Sequence, residues 1–138
     1  MSRVPLIAFG VAACAVVVLG VAGEYRGRVG VNALWPRTAI DTAAMAEFEG
    51  HVQVGVLRKP EIMADAAWLV LTSDARTNTG RFLIDDEILA ENGVTDLSAY
   101  APAGAKDVDI MPDVFVPSLR ELRGLPDPAN PYARSRKP

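Results

Sequence analysis

Between Arg3 and Glu24 lie twenty residues, Val4 to Gly23, without a single charge. As a helix rising about 1.5 Å per residue, they would just cross a hydrocarbon core roughly 30 Å thick. The same run has the form of a secretory h-region. Val11-Ala12-Ala13-Cys14 even carries small residues before a cysteine, as at a lipoprotein cleavage site, although the chain stays apolar where a mature lipoprotein turns polar. A third reading is a helix of a soluble α/β domain, apolar on every side because it is sandwiched between a sheet and a covering layer. Periodicity does not choose among the three.

The rest of the chain is more explicit. Val29 to Trp35 is a short apolar run, partly β-branched and closed by Pro36, which predicts a buried strand. From Thr38 the Ala-rich pattern, with Thr and Asp near its start, predicts a helix or partly helical lid to about Phe48. Glu49 to Lys59 reads as a loop. Pro60 is expected at the first position of a second helix, in which Ile62, Ala66, Leu69 and Val70 recur at helical spacing. After the turn-rich Asp74 to Gly80, Arg81 to Asp85 reads as a short strand, followed by a short helix stopped by Gly93. Strand, helix and strand in succession form a βαβ unit, whose two strands should be parallel with a right-handed crossover. The fold class is therefore α/β.

At 138 residues the chain is one domain's worth. Acids dominate Glu61 to Asp113 and the net charge is −3, so no basic stripe recommends a nucleic-acid partner. A lone cysteine, Cys14, excludes an internal disulfide and a multi-cysteine zinc site, and His51 has no second imidazole beside it, so no metal site is expected. Ser118 to Pro138 holds four of the ten prolines and five Lys or Arg against two acids, which reads as a solvated tail with little to bury. Three segments result: an apolar helix over 1–23, an α/β part over 24–117, and the tail over 118–138.

The runs VLGVAGEYRGRVGVNALWPRTAIDTAAM, KPEIMADAAWLVLTSDARTNTGRFLIDDEILAENGVTDLSAY and MPDVFV together resemble the C-terminal part of short-chain dehydrogenases/reductases. Within that family they look like the hydroxysteroid-dehydrogenase-like 2 subgroup. The resemblance covers about Val18 to Val116. It implies a partial Rossmann fold: the C-terminal βαβ part of a parallel sheet, preceded by the apolar helix, with the strand ending at Trp35-Pro36 as the sixth of seven. It also implies an NAD or NADP cofactor. In a parallel sheet, nucleotides bind outside the carboxyl ends of the strands. By resemblance, Pro36 ends the strand, the backbone around Thr38 and Ile40 faces the nicotinamide carboxamide, and the Thr42 hydroxyl reaches toward the pyrophosphate. Ala43 to Arg58 matches the substrate loop. Read without the resemblance, Thr38 and Thr42 would simply cap a helix. Two departures stand out: Arg37 replaces a usual glycine, and Ile84-Asp85-Asp86-Glu87 replaces the usual Asp-Gly-Gly, both as in the subgroup.

The family's catalytic residues are missing from these 138 positions. There is no TGxxxGxG turn for the pyrophosphate and no Tyr-x-x-x-Lys, whose Tyr is the general acid/base and whose Lys lowers its pKa and holds the ribose. Counted back without gaps from Leu19-Gly20, the Tyr and Lys positions fall on Ile7 and Val11. No catalytic residue is therefore assigned, and binding of the cofactor by these residues alone is not expected. A two-strand sheet is marginal, so order should depend on helix 4–23 packing onto it, and its open edge invites self-association. The expectation is a truncated or mis-started cytoplasmic oxidoreductase whose full-length relative acts on a small molecule. The alternative is a small membrane- or lipid-anchored protein, held through 4–23, that uses the dehydrogenase-like part as a binding module. Substrate, the choice of NAD or NADP, and oligomeric state are not encoded legibly.

Overall fold

The computed structural model describes residues 4–46 and 56–113 together with residues 116 and 122, leaving aside the side chains of 4–12 and 46. The lid beyond residue 46, His51, the middle of the substrate loop and nearly all of the tail lie outside the described residues. The elements are helix α1 (Val4–Glu24), strand β1 (Ala33–Trp35), a single turn α2 (Ala43–Ala46), helix α3 (Glu61–Leu71), strand β2 (Phe82–Ile84) and helix α4 (Asp85–Glu91). Two 3-10 turns come after α4, Ser98–Tyr100 and Asp107–Asp109.

The two strands pair in parallel, Ala33 opposite Phe82, Leu34 opposite Leu83 and Trp35 opposite Ile84, with α3 in the connection. The sheet is shorter than the apolar run because side chains replace the ladder at its start. The Val31 N–H donates to Thr79 Oγ1 at 3.1 Å, and the Asn32 amide donates to the Asn78 carbonyl while accepting the Arg81 N–H. At its other end β1 stops at Pro36, which has no N–H to offer.

Helix α3 forms where the apolar spacing placed it. Ile62 and Ala66 are wholly buried, and they meet Leu83 of β2, Ile88 and Leu89 of α4, and Leu97 in one cluster. Each fully buried Ile or Leu there contributes roughly 1.5–3 kcal/mol. Pro60 stands one position earlier than expected, at the N-cap, and already has helical dihedrals. At the other end Thr72 Oγ1 donates to the Trp68 carbonyl and Ser73 Oγ to that of Val70, satisfying carbonyls that the helix leaves over. Gly93, with φ of +86°, turns the chain out of α4, and that sign of φ is what glycine adopts without a Cβ penalty.

Helix α1 comes against the sheet at β1. Among its described side chains only Ala22, in its last turn, is buried, with Gly80 beside it. Val16, Val17 and Leu19 are exposed. Among the residues whose side chains are described, no helix is long and apolar enough to cross a membrane. The α3/α4 cluster also packs on the sheet, and charged side chains hold its carboxyl end.

Candidate functional site

After a bend at Arg37 the segment following β1 runs extended to Asp41 at the carboxyl end of the sheet, and its main-chain ladder falls on one side. The Ala39 N–H donates to the Met111 carbonyl at 2.8 Å and the Asp41 N–H to that of Arg58 at 2.8 Å, while the Ala39 carbonyl accepts the Arg58 N–H. The Arg37 carbonyl accepts the Asp113 N–H in the same ladder. Successive N–H groups of an extended chain point to opposite sides. Those of Thr38 and Ile40 therefore point away from residues 56–58 and 110–113, and among the described residues neither has a partner. Two unpaired donors two residues apart at the carboxyl end of a parallel sheet are what a planar amide of a ligand would engage.

Charged side chains fix this segment. Arg37 is buried. Its N–H donates to Asp85 Oδ1 at 2.9 Å, and its guanidinium pairs with Asp86 and Glu87 in the first turn of α4. Burial opposes the guanidinium's charge, but the hydrogen bonds and attraction of Asp86 and Glu87 outweigh it and hold its pKa above the ordinary value. Asp85 is 1% exposed. Burial raises the pKa of its carboxyl against the opposing pull of the Arg37 and Asp86 N–H bonds, and Oδ2 has no partner among the described residues. Arg58 is buried as well. It donates to Thr38 Oγ1 at 3.3 Å, the Leu97 carbonyl at 3.4 Å and Asp107 Oδ1 at 3.2 Å. The Trp35 indole donates to Asp113 Oδ1, tying the end of β1 to the same returning chain.

The residues singled out from the sequence are placed unequally. Pro36, Thr38 and Ile40 share the extended segment. Thr38 is buried through its side chain on Arg58, and Ile40 packs partly against the core. Thr42 is exposed just before α2, its carbonyl accepting the Met45 N–H. Asp85 and Arg58 were not singled out. Arg58 lay in a stretch read as loop, and nothing in its spacing signals burial. Among the described residues no cluster of His, Cys, Asp and Glu is arranged to hold a metal ion. A hollow of about 290 Å³ opens at the other, amino end of β1, lined by Gly30, Asn32, Ser73 and Asn78 among others. Its amides bond one another, Asn32 to the Asn78 carbonyl and Asn78 to Ser73 Oγ, so it offers a ligand little.

The chain superimposes on a dehydrogenase from Xanthomonas campestris with a TM-score of 0.65 at 48% identity, covering 75% of this chain and 38% of that one. It matches a short-chain dehydrogenase from Mycobacterium thermoresistibile with a TM-score of 0.63 at 36% identity, over 85% and 38% of the two chains. This chain is similar to part of a short-chain dehydrogenase. The curated hydroxysteroid dehydrogenase-like protein 2 of Xenopus laevis is 44% identical over 108 residues, which is 78% of this chain and 24% of the relative. The chain thus spans about a quarter of that relative's length. No model of a protein family matches the sequence. These short-chain dehydrogenase neighbours have a Rossmann-like fold, and β1, α3 and β2 supply one βαβ unit of such a parallel sheet.

Proposed function

We infer that these residues form the nicotinamide-facing wall of an NAD(P)-dependent oxidoreductase, and that by themselves they do not catalyse hydride transfer. The observation that carries this reading is the pair of N–H groups on Thr38 and Ile40, which have no partner among the described residues. They are held at the carboxyl end of β1 by a ladder that occupies the opposite side of the same segment. When bound, the nicotinamide supplies the hydride acceptor or donor. The chain's part is to orient the ring through its carboxamide, with Pro36 ending the strand so that Thr38 and Ile40 come next. Thr42, exposed at the start of α2, contributes a hydroxyl toward the phosphates.

Proton transfer is not provided for. None of Tyr25, Tyr100 and Tyr132 has a lysine four residues on, and no glycine-rich turn is present to hold a pyrophosphate. The purified chain should therefore oxidise neither NADH nor NADPH with panels of ketones and aldehydes, and calorimetry should give no saturable dinucleotide isotherm. Turnover that disappears on changing Thr38 or Thr42 would overturn the second half of the reading. The first half is tested by the amide resonances of Thr38 and Ile40 in the ¹⁵N-labelled chain. Millimolar nicotinamide mononucleotide should move them and leave Leu83 in place.

The exposure of Val16, Val17 and Leu19 on α1 favours a second reading, a membrane- or lipid-anchored protein with the dehydrogenase-like part as its binding module. Resistance to carbonate extraction, abolished by Val17→Lys, would support it; a chain found only in the soluble fraction would remove it.

A further inference from the structure

The two places where the sequence departs from the family's usual glycines meet in space, since Arg37 follows β1 while Asp86 and Glu87 follow β2, about fifty residues later. We propose that Arg37 is a positioning residue, and that its clasp on the start of α4 sets where the Thr38 and Ile40 N–H groups stand. The proposal rests on reading that segment as the nicotinamide wall.

The contacts argue for more than a surface ion pair. Arg37 is held at both ends of the residue: its own N–H is bound by Asp85, and its guanidinium by Asp86 and Glu87. All three acids are consecutive, so the main chain and the side chain of Arg37 are referenced to one rigid turn. The Arg37 side chain is 4% exposed and that of Asp86 13%, which shields their attraction from solvent, while Glu87 at 60% contributes at the rim. The residue after Arg37 is Thr38, the first of the two donors without a partner among the described residues. A shift of the Arg37 peptide therefore passes directly to the Thr38 N–H, and through one further residue to that of Ile40. The opposite edge of the segment is pinned separately, by Met111 and Arg58. Loss of the clasp should loosen one edge and leave the ladder on the other. A guanidinium fork can take both carboxylates at once, whereas an ammonium, a point charge, satisfies them less well.

The test uses the full ¹⁵N-labelled chain, with nicotinamide mononucleotide as the probe. In Arg37→Gln the probe-induced shifts at Thr38 and Ile40 should fall about threefold or more, a size within reach of mutations that act through a neighbour. The Ala66 and Leu83 resonances, in the core cluster, should keep their wild-type positions. Arg37→Lys should recover part of the loss, which a merely destabilising role would not explain. Wild-type probe shifts in Arg37→Gln would overturn the proposal. Should that variant not fold, Glu87→Gln is read in the same way, with a smaller loss expected and no loss counting against the clasp. If the probe moves neither residue in the wild type, the nicotinamide reading fails on its own. The clasp is then judged without ligand, by whether the Thr38 and Ile40 resonances move in Arg37→Gln; unmoved resonances overturn it.

Discussion

Replacing Arg58 by methionine should cost the folded chain about 3 kcal/mol, reckoned as three hydrogen bonds of about 1 kcal/mol each. Arg58 is 2% exposed, and methionine fills much of the space of its aliphatic stem, so the change removes the guanidinium without opening a large cavity. The three bonds lost, to Thr38 Oγ1, the Leu97 carbonyl and Asp107 Oδ1, are 3.3, 3.4 and 3.2 Å long. All are longer than the roughly 2.9 Å typical of N–H···O bonds, so the value for an ordinary bond, about 1 kcal/mol, applies rather than the larger one for charged donors. The Asp107 side chain is 30% exposed and regains water when its partner goes, which keeps the total near the bottom of the roughly 3–5 kcal/mol for breaking a buried pair. Urea unfolding followed by Trp35 fluorescence and far-ultraviolet circular dichroism measures it. With a slope of about 1.5–2 kcal/mol per molar, the midpoint should fall by roughly 1.5–2 M with the slope unchanged. Arg76→Ala, at an exposed pair with Asp74, is the control and should not move the midpoint measurably. An Arg58→Met midpoint equal to that of the control would refute the argument that buried Arg58 ties the site segment to the rest of the chain.

Three further outcomes are expected. Burial raises the folded-state pKa of Asp85, so between its unfolded and folded values the native chain holds more protons than the unfolded one, and stability falls as pH rises through that window. Asp85→Asn keeps an acceptor for the Arg37 N–H and should remove this slope; equal slopes in thermal unfolding from pH 4 upward would contradict it. Leu89→Ala, at a side chain 1% exposed in the α3/α4 cluster, should cost about 2–5 kcal/mol in the same urea assay. Gly93→Ala should cost roughly 1–2 kcal/mol through its φ of +86°, since open space around it excludes a clash.

The α/β class, α3 and both strands were legible because each rests on a local signal. Helical spacing of Ile62, Ala66, Leu69 and Val70 marks α3, and proline after an apolar run marks the end of β1. The exact extent of β1 was not legible, since it depends on Asn32 and Thr79 replacing ladder bonds, and those partners are 46 to 49 residues apart in sequence. Pro36, Thr38 and Ile40 came from resemblance alone, and the ladder that turns the Thr38 and Ile40 N–H groups outward involves residues 58, 111 and 113, which no local pattern links to them. Arg37 and the Asp85–Glu87 triplet were visible as departures from a pattern, but nothing in either stretch says that they touch. Arg58 gave no signal at all. A buried arginine is defined by what surrounds it, and its partners come from residues 38, 97 and 107.

The site segment owes its shape to few strands and many side chains. A two-strand parallel sheet is too small to fix the chain that leaves it. The bonds that define residues 37–41 run instead to Arg58, Asp85, Met111 and Asp113, which all lie within this chain. Two of these anchors, Met111 and Asp113, are main-chain groups on returning segments, and two, Arg58 and Asp85, hold the segment through buried side chains as well. The direction of the Thr38 and Ile40 N–H groups is therefore fixed by residues present here. The proposal does not extend to catalysis, because neither a TGxxxGxG turn nor a Tyr-x-x-x-Lys pair occurs in these 138 positions. The proposed orientation of a nicotinamide is thus separable from transfer of its hydride. An amide-resolved experiment on Thr38 and Ile40 tests the first without requiring the second.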